Sequence, residues 1–117
     1  KLKGEFLEDA LYIIEKNYYG ADRSFMFYLH ERDRFCRKEY NKLVNSIKTL
    51  TEVGDFSRGT EQKIVDIQLQ TVLHLTYHFD SSDGYRIKNL PDDIWEILED
   101  LRCAADVYFS KFVKIKD

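Results

Sequence analysis

Hydrophobic residues recur every three to four positions along almost the whole chain, the spacing that places side chains on one face of an α-helix. The first helical segment is predicted to end at Gly20, in "YYGAD", and Asp22 is predicted to cap the next helix. The chain therefore begins with an amphipathic helix and a short turn. The apolar face of that helix consists of Phe6, Leu7, Ala10, Leu11, Ile13 and Ile14.

The second helical segment is long, and charged residues break its apolar pattern for about one turn at "HERDR", residues 30–34. This pattern fits either one helix or two helices joined at a kink. The apolar positions of the segment are Phe25, Leu29, Cys36, Tyr40, Leu43, Val44, Ile47 and Leu50.

A third helix is predicted after "EVGDFSRGTE", where two glycines and several polar residues indicate a loop. Thr60 is predicted to cap this helix. The apolar positions of the helix are Ile64, Ile67, Leu69, Val72, Leu73, Leu75 and Phe79.

The last helix is predicted to begin near Pro91, because proline has no N–H and the first turn of a helix leaves that N–H unpaired. Asp92 and Asp93 favour the same end through the helix dipole. Its apolar stripe contains Ile94, Ile97, Leu98, Leu101, Ala105, Tyr108 and Phe112. Apolar and polar residues alternate only in "DGYRIKNL", and this segment is long enough for at most one short hairpin. The predicted fold is a single all-α domain, residues 1–117, built as a small antiparallel bundle of four to five helices.

Length and composition are those of one domain with an adequate core. Aromatic residues make up 15% of the chain, so some rings are expected at the surface. Cys36 and Cys103 both fall on the apolar side of helical patterns, which predicts buried free thiols in a reducing compartment. No secretory signal is visible and no apolar run is long enough to cross a membrane, which predicts a cytoplasmic protein without membrane contact. The chain begins with Lys1 rather than Met, which leaves open that its natural start lies upstream.

Charge is distributed unevenly, although the net charge of the chain is only −3. Residues 1–50 carry ten basic and eight acidic side chains, net +2, whereas residues 80–106 carry three basic and eight acidic side chains, net −5. The acidic region begins in "HFDSSDGYRIKNLPDD", residues 78–93, and continues into the last helix. This distribution predicts a basic protein partner rather than nucleic acid.

Metal and cofactor motifs are weak in the sequence. His74 and His78 are four residues apart on one helical face, a spacing that can present two imidazoles to one ion, and Asp80 follows them. There is no HExxH motif and no second carboxylate–histidine pair, so two structural histidines are favoured. "DSSDG" resembles a calcium loop, but the twelfth position from Asp80 is Pro91, where an EF-hand requires glutamate. We therefore predict no metal ion and no cofactor.

One enzymatic alternative rests on "RSFMFYLH", in which six residues separate Arg23 from His30. The pair resembles the Arg-x(4–6)-His motif of HEPN-type helical ribonucleases, which would make His30 a general base and Arg23 a phosphate-stabilising group. A six-residue gap does not place two side chains on one helical face, and His30 with its charged neighbours fits a solvated turn. No GxSxG, phosphate-binding glycine loop or dinucleotide motif is present. The chain is predicted to have no catalytic residues and not to be an enzyme.

What distinguishes the chain is an acidic, tyrosine-bearing surface on a helical scaffold. Carboxylates can mimic nucleic-acid phosphates, and aromatic side chains can anchor a complex, so this surface is suited to masking the basic site of a nuclease. The predicted contact residues are Asp80, Asp83, Tyr85, Asp92, Asp93 and Glu96.

The segment "LHLTYHFDSSDGYRIKNLPDDIWEILEDL", residues 73–101, resembles the later half of the self-protective colicin-like immunity proteins, and "RDRFCRKEYNKL" resembles their earlier aromatic helix. The two segments cover about a third of the chain. Immunity proteins of contact-dependent inhibition systems occupy the same niche. The resemblance implies a cytoplasmic antidote without catalytic activity, whose partner is a cognate toxin domain. A regulatory interaction module without a toxin partner is the remaining alternative.

Overall fold

Five helices form the molecule in the computed structural model, which describes residues 3–116 and the side chains of residues 4–115. They are α1 (Lys3–Tyr19), α2 (Phe25–Glu31), α3 (Arg37–Val53), α4 (Arg58–Phe79) and α5 (Ile94–Lys116). The predicted small all-α bundle is confirmed. Within the described residues no helix is long and apolar enough to cross a membrane.

The charged interruption in the second helical segment separates two helices, α2 and α3. Asp33 lies between them with a φ of 51°, a left-handed conformation that ends the helical path. Arg34 then forms an isolated parallel bridge with Lys88. The hairpin considered for "DGYRIKNL" is therefore replaced by a pairing with a distant segment.

The structure corrects the predicted N-caps of α2 and α4. Ser24 rather than Asp22 caps α2, because its hydroxyl accepts a hydrogen bond from the Phe27 N–H at 3.0 Å. Ser57 rather than Thr60 caps α4, and the Thr60 N–H donates to its hydroxyl at 3.1 Å. Both serines stand three residues before the N–H group that they pair, which is the spacing of an N-cap.

The last helix begins later than predicted. Pro91 precedes it in a turn, and α5 starts at Ile94. The Asp93 carbonyl accepts the N–H groups of Glu96 and Ile97, at 3.0 and 3.1 Å, and so takes the cap position itself. At the other ends, Gly20 follows α1 as predicted, and both Gly20 and Gly54 adopt left-handed φ values of 61° and 75°.

The core is organised around α3, which packs between α1 and α5. The hydroxyl of buried Tyr40 donates to the Ile97 carbonyl at 2.6 Å, and burial raises the pKa of Tyr40 to about 12. These two residues join the beginnings of α3 and α5, so these two helices run in the same direction. Helix α4 reverses the chain between them, and the sequence neighbours α4 and α5 are antiparallel. The predicted stripe of α5 is buried throughout, apart from the partly buried Leu98.

The prediction of two buried thiols is wrong. Cys36 is partly buried at the start of α3, and Cys103 is exposed on α5. Cys103 stands beside the buried stripe of α5, between Leu101 and Ala105, and no neighbouring helix covers it. It lines a surface cleft of about 280 Å³ with Lys48 and Val107.

Candidate functional site

The acidic loop that joins α4 to α5 has a defined internal structure. The Asp80 carboxylate accepts hydrogen bonds from the Ser82 N–H at 2.9 Å and the Ser82 hydroxyl at 2.7 Å. The Asp83 carboxylate repeats this two-residue turn by accepting the Tyr85 N–H at 2.8 Å. The bonds from Ser82 lower the pKa of Asp80. Both predicted contact carboxylates therefore shape the loop, although Asp80 remains exposed and Asp83 is partly buried.

Tyr85 attaches this loop to the bundle. Its hydroxyl donates to the carbonyl of Leu29 in α2 at 2.5 Å, and its ring packs against His74 with 5.6 Å between ring centroids. Burial, followed by the charge of Asp33, raises the pKa of the Tyr85 hydroxyl. A tyrosine predicted to anchor a partner thus has its hydroxyl engaged inside the molecule, and its ring is partly buried.

The second half of the loop is also fixed. Ile87 is buried, and its N–H donates to Nδ1 of His78 at 2.8 Å. The Lys88 N–H donates to the Asp33 carbonyl at 2.6 Å, and the Phe35 N–H donates to the Lys88 carbonyl at 2.9 Å. The loop is therefore tied to α4 and to the α2–α3 connection.

The three histidines lie close to this loop but have different roles. His74 is buried, and its Nδ1 must donate to the Gln70 carbonyl, 2.6 Å away, because a carbonyl oxygen only accepts. The other ring nitrogen of His74, Nε2, lies 3.3 Å from Nδ1 of His30, so the two imidazole rings are within hydrogen-bonding distance of each other. His78 instead accepts the Ile87 N–H. Among the described residues no group of three or more His, Cys, Asp or Glu side chains could hold a metal ion.

The remaining predicted contact residues lie at the beginning of α5. Asp92, Asp93 and Glu96 are all exposed. Together with Asp80 they leave four carboxylates open to solvent at the end of the molecule where α4 stops and α5 starts. The net negative charge expected from the sequence is thus present on an accessible surface.

Two exposed aromatic rings accompany these carboxylates: Phe79 precedes Asp80 in the chain, Trp95 precedes Glu96, and both rings line one cleft with Asp92. Phe79, the last residue of α4, stacks on Trp95, in the first turn of α5, with ring centroids 5.6 Å apart and ring planes 29° apart. The two side chains are 55% and 58% exposed. Large apolar side chains that are stacked and exposed together are typical of protein-binding surfaces.

Two surface clefts adjoin the aromatic pair, one lined by both rings and one lined by Trp95 alone. The first, of about 430 Å³, is bounded by the acidic loop and has Asp92 on its rim. The second, of about 410 Å³, runs between α4 and α5 and has Glu99 and Arg102 on its rim. The first cleft is lined by His78, Phe79, Ile87, Asn89, Leu90, Pro91, Asp92, Ile94 and Trp95.

The sequence does not predict the aromatic pair, because Phe79 fits the apolar pattern of its helix and is therefore assigned to the core. The seven apolar positions predicted for α4 cover more than one helical face, however, since Leu69 and Val72 do not lie on the line of Ile64, Ile67 and Leu75. That excess was the signal that some of them are exposed. Trp95 carried a second signal, because it lies one position outside the stripe of α5 that Ile94 begins.

The residues of the ribonuclease alternative are not brought together. Arg23 precedes α2 in a left-handed conformation, with its side chain 4.0 Å from Asp22. His30 lies in the last turn of α2 and contacts His74. A seven-residue helix is about 10 Å long, so the two side chains start from opposite ends of it.

No protein-family model, curated protein or solved structure matches this chain.

Proposed function

We propose that this protein is an immunity protein, which binds a cognate toxin domain and neutralises it without catalysing a reaction. The observation that carries this proposal is the exposed Phe79–Trp95 stack among solvent-exposed carboxylates. The resemblance of residues 73–101 to colicin-like immunity proteins points to the same function.

The surface suits a toxin with a basic active site, such as a nuclease. Trp95 and Phe79 would fill an apolar recess of the toxin, since central aromatic residues supply most of the binding energy in many interfaces. Asp80, Asp92 and Glu96 would approach lysine and arginine side chains around that recess and exclude its nucleic-acid substrate. The predicted contact set is thereby extended by the aromatic pair.

Tyr85 and Asp83 have a different part in this proposal. Their hydrogen bonds to Leu29 and within the loop hold the exposed carboxylates in place. A preorganised loop loses less conformational entropy when a partner binds, and this increases affinity.

The direct test is a binding experiment with a toxin domain, and the first candidate is any nuclease toxin that a neighbouring gene encodes. Trp95 is the only tryptophan of the chain, so in a titration with a tryptophan-free toxin variant its fluorescence reports burial of the site. Trp95→Ala, followed by calorimetry, should weaken binding by about 30-fold or more, as hot-spot truncations do. It should also abolish protection of cells that express the toxin.

Tyr12→Ala is the matched control, because Tyr12 is an equally exposed aromatic residue on α1, away from the site. It should bind and protect like the parent. A folded Trp95→Ala protein that also binds and protects like the parent would refute the proposed surface.

The purified protein should leave RNA intact. RNA cleavage that disappears in His30→Ala would replace the proposed function with the ribonuclease alternative. Failure to bind the toxin, without RNA cleavage, would instead favour a regulatory module.

A further inference from the structure

Helix α4 is apolar on two sides. One side faces the core and contains Ile64, Ile67, Thr71, His74 and Leu75, all of which are buried. The other side carries Val65, Leu69, Val72 and Phe79, which are each 48–55% exposed. A surface helix of a globular protein normally has one apolar stripe and an opposite polar face. The second stripe is therefore not accounted for by the fold of one chain.

The exposed stripe has the spacing of a helix-pairing seam. Its positions are 65, 69, 72, 76 and 79, so the steps alternate between four and three residues, as the a and d positions of a coiled coil do. Position 76 is a threonine, whose hydroxyl donates to the Val72 carbonyl at 2.9 Å. This bond satisfies the hydroxyl within the helix, so Thr76 can be covered without leaving its hydroxyl unpaired.

The charges at the ends of the stripe indicate what covers it. Arg58 begins α4 and lies on the line of the stripe, seven residues before Val65. Asp80 follows Phe79 at the other end and is exposed. Arg58 and Asp80 are each eleven residues from Leu69, which stands at the centre of the stripe. The stripe is therefore basic at one end and acidic at the other, and the side chains on the line between them are uncharged.

We infer that this stripe is the site where a second copy of the chain packs, with the two α4 helices antiparallel and a two-fold axis at Leu69. This arrangement places Arg58 of each copy beside Asp80 of the other copy, so two ion pairs form by symmetry. A parallel arrangement would place like charges together. The inference does not depend on the proposed function.

The antiparallel register brings no like charges together along the line of the stripe. Gln62 continues that line, seven residues before Leu69, and Thr76 stands seven residues after Leu69. The register therefore places Gln62 of one copy at the level of Thr76 of the other, and both side chains are uncharged.

The dimer is expected to be weak and reversible. The seam from Arg58 to Asp80 is about 33 Å long, and one helix pair of this length buries an area at the low end of specific interfaces. Because Phe79 belongs to both surfaces, the homodimer and the proposed toxin complex exclude each other. Added toxin should therefore convert homodimer into a one-to-one complex.

Sedimentation velocity over protein concentrations from about 1 to 500 μM tests the inference, a range chosen for a weak interface. The parent should shift from monomer to dimer as its concentration rises. Leu69→Asp should weaken self-association at least about 10-fold, because it would bury two charges at the axis. Val107→Asp is the matched control, since Val107 is 48% exposed on α5 and outside the stripe. It should dimerise like the parent, and circular dichroism should show that both variants are folded.

A charge exchange tests the register. Arg58→Asp and Asp80→Arg should each weaken the dimer, and the double variant should restore it, because the pairs are then re-formed with the signs reversed. Restoration cannot come from the loop, since the double variant also lacks the Asp80–Ser82 bonds.

Three results would overturn the inference. The first is a parent protein that stays monomeric at every concentration. If Leu69→Asp then also abolishes toxin binding, the stripe belongs to the toxin interface. The second is a dimer that Leu69→Asp leaves unchanged. The third is a charge exchange without restoration.

Discussion

At the scale of single residues, the side chains of the acidic loop connect stability with function. The Tyr85 hydroxyl donates to the carbonyl of buried Leu29, so Tyr85→Phe removes the donor and leaves that acceptor with one partner fewer. The free energy of unfolding should fall by about 1–2 kcal/mol. Urea denaturation measures this change. Tyr12→Phe, at an exposed tyrosine of α1, should change stability by less than about 0.5 kcal/mol, and equal effects of the two substitutions would argue against the bond.

The two thiols should react at different rates. Cys103 is exposed and Cys36 is partly buried, so a thiol reagent should modify one sulfur per native chain quickly and the second slowly. Cys103→Ser should remove the fast phase and Cys36→Ser the slow one. Fast modification of both thiols in the parent, together with fast modification of the single thiol that remains in Cys103→Ser, would contradict the partial burial of Cys36.

At the scale of the helix, α4 offers a direct comparison of its two apolar sides. Leu75 is buried in the core, whereas Leu69 is 54% exposed on the stripe. Leu75→Ala should lower the free energy of unfolding by about 2–5 kcal/mol, through lost burial and a cavity. Leu69→Ala should change it by less than about 0.5 kcal/mol at dilute concentration, where the chain is monomeric. Thermal or urea unfolding of both variants measures the difference, and a similar loss for both would show that Leu69 belongs to the core.

The contact between α4 and the acidic loop should depend on pH through His78. Its Nδ1 accepts the Ile87 N–H, and burial, followed by the charge of Arg86, lowers the pKa of His78 below the ordinary value of 6.5. The unfolded chain therefore takes up a proton at higher pH than the folded one. The stabilising contribution is fully present above pH 6.5 and is lost as the pH falls through the lowered pKa.

Urea denaturation at pH 7.5 and pH 5 measures this effect. The stability lost between the two pH values should be smaller in His78→Asn, which does not titrate. The protection of the Ile87 amide from hydrogen exchange, expressed relative to the intrinsic exchange rate at each pH, should decrease at the lower pH in the parent. An equal loss of stability in the parent and His78→Asn would rule out His78 as the titrating group.

At the scale of the whole molecule, the uneven charge should govern how fast a partner is found. Residues 80–106 carry a net charge of −5 while the chain carries −3. Raising NaCl from about 50 to 500 mM should slow association with a basic toxin domain much more than it accelerates dissociation, because salt screens long-range attraction. Stopped-flow measurement of the Trp95 fluorescence gives both rates. Rates independent of salt would mean that the carboxylates do not steer the complex.

The sequence by itself determined the helical elements and most of the core. Local spacing of apolar residues predicts the stripe of α5. Glycine's access to left-handed φ predicts the ends of α1 and α3, at Gly20 and Gly54, and the loop before α4. The acidic character of residues 80–106 was also evident, since charge needs no fold to be counted.

Only the tertiary structure decided which face of each amphipathic helix is buried. Periodicity relates residues around one helix axis, but the neighbours that bury a face come from distant parts of the chain. For this reason Leu69 and Phe79 are exposed while Leu75 is buried, Cys103 is accessible, and His74 pairs with His30 rather than with His78. The aromatic pair at the candidate site exists because antiparallel α4 and α5 bring Phe79 to Trp95, a contact that no local spacing encodes.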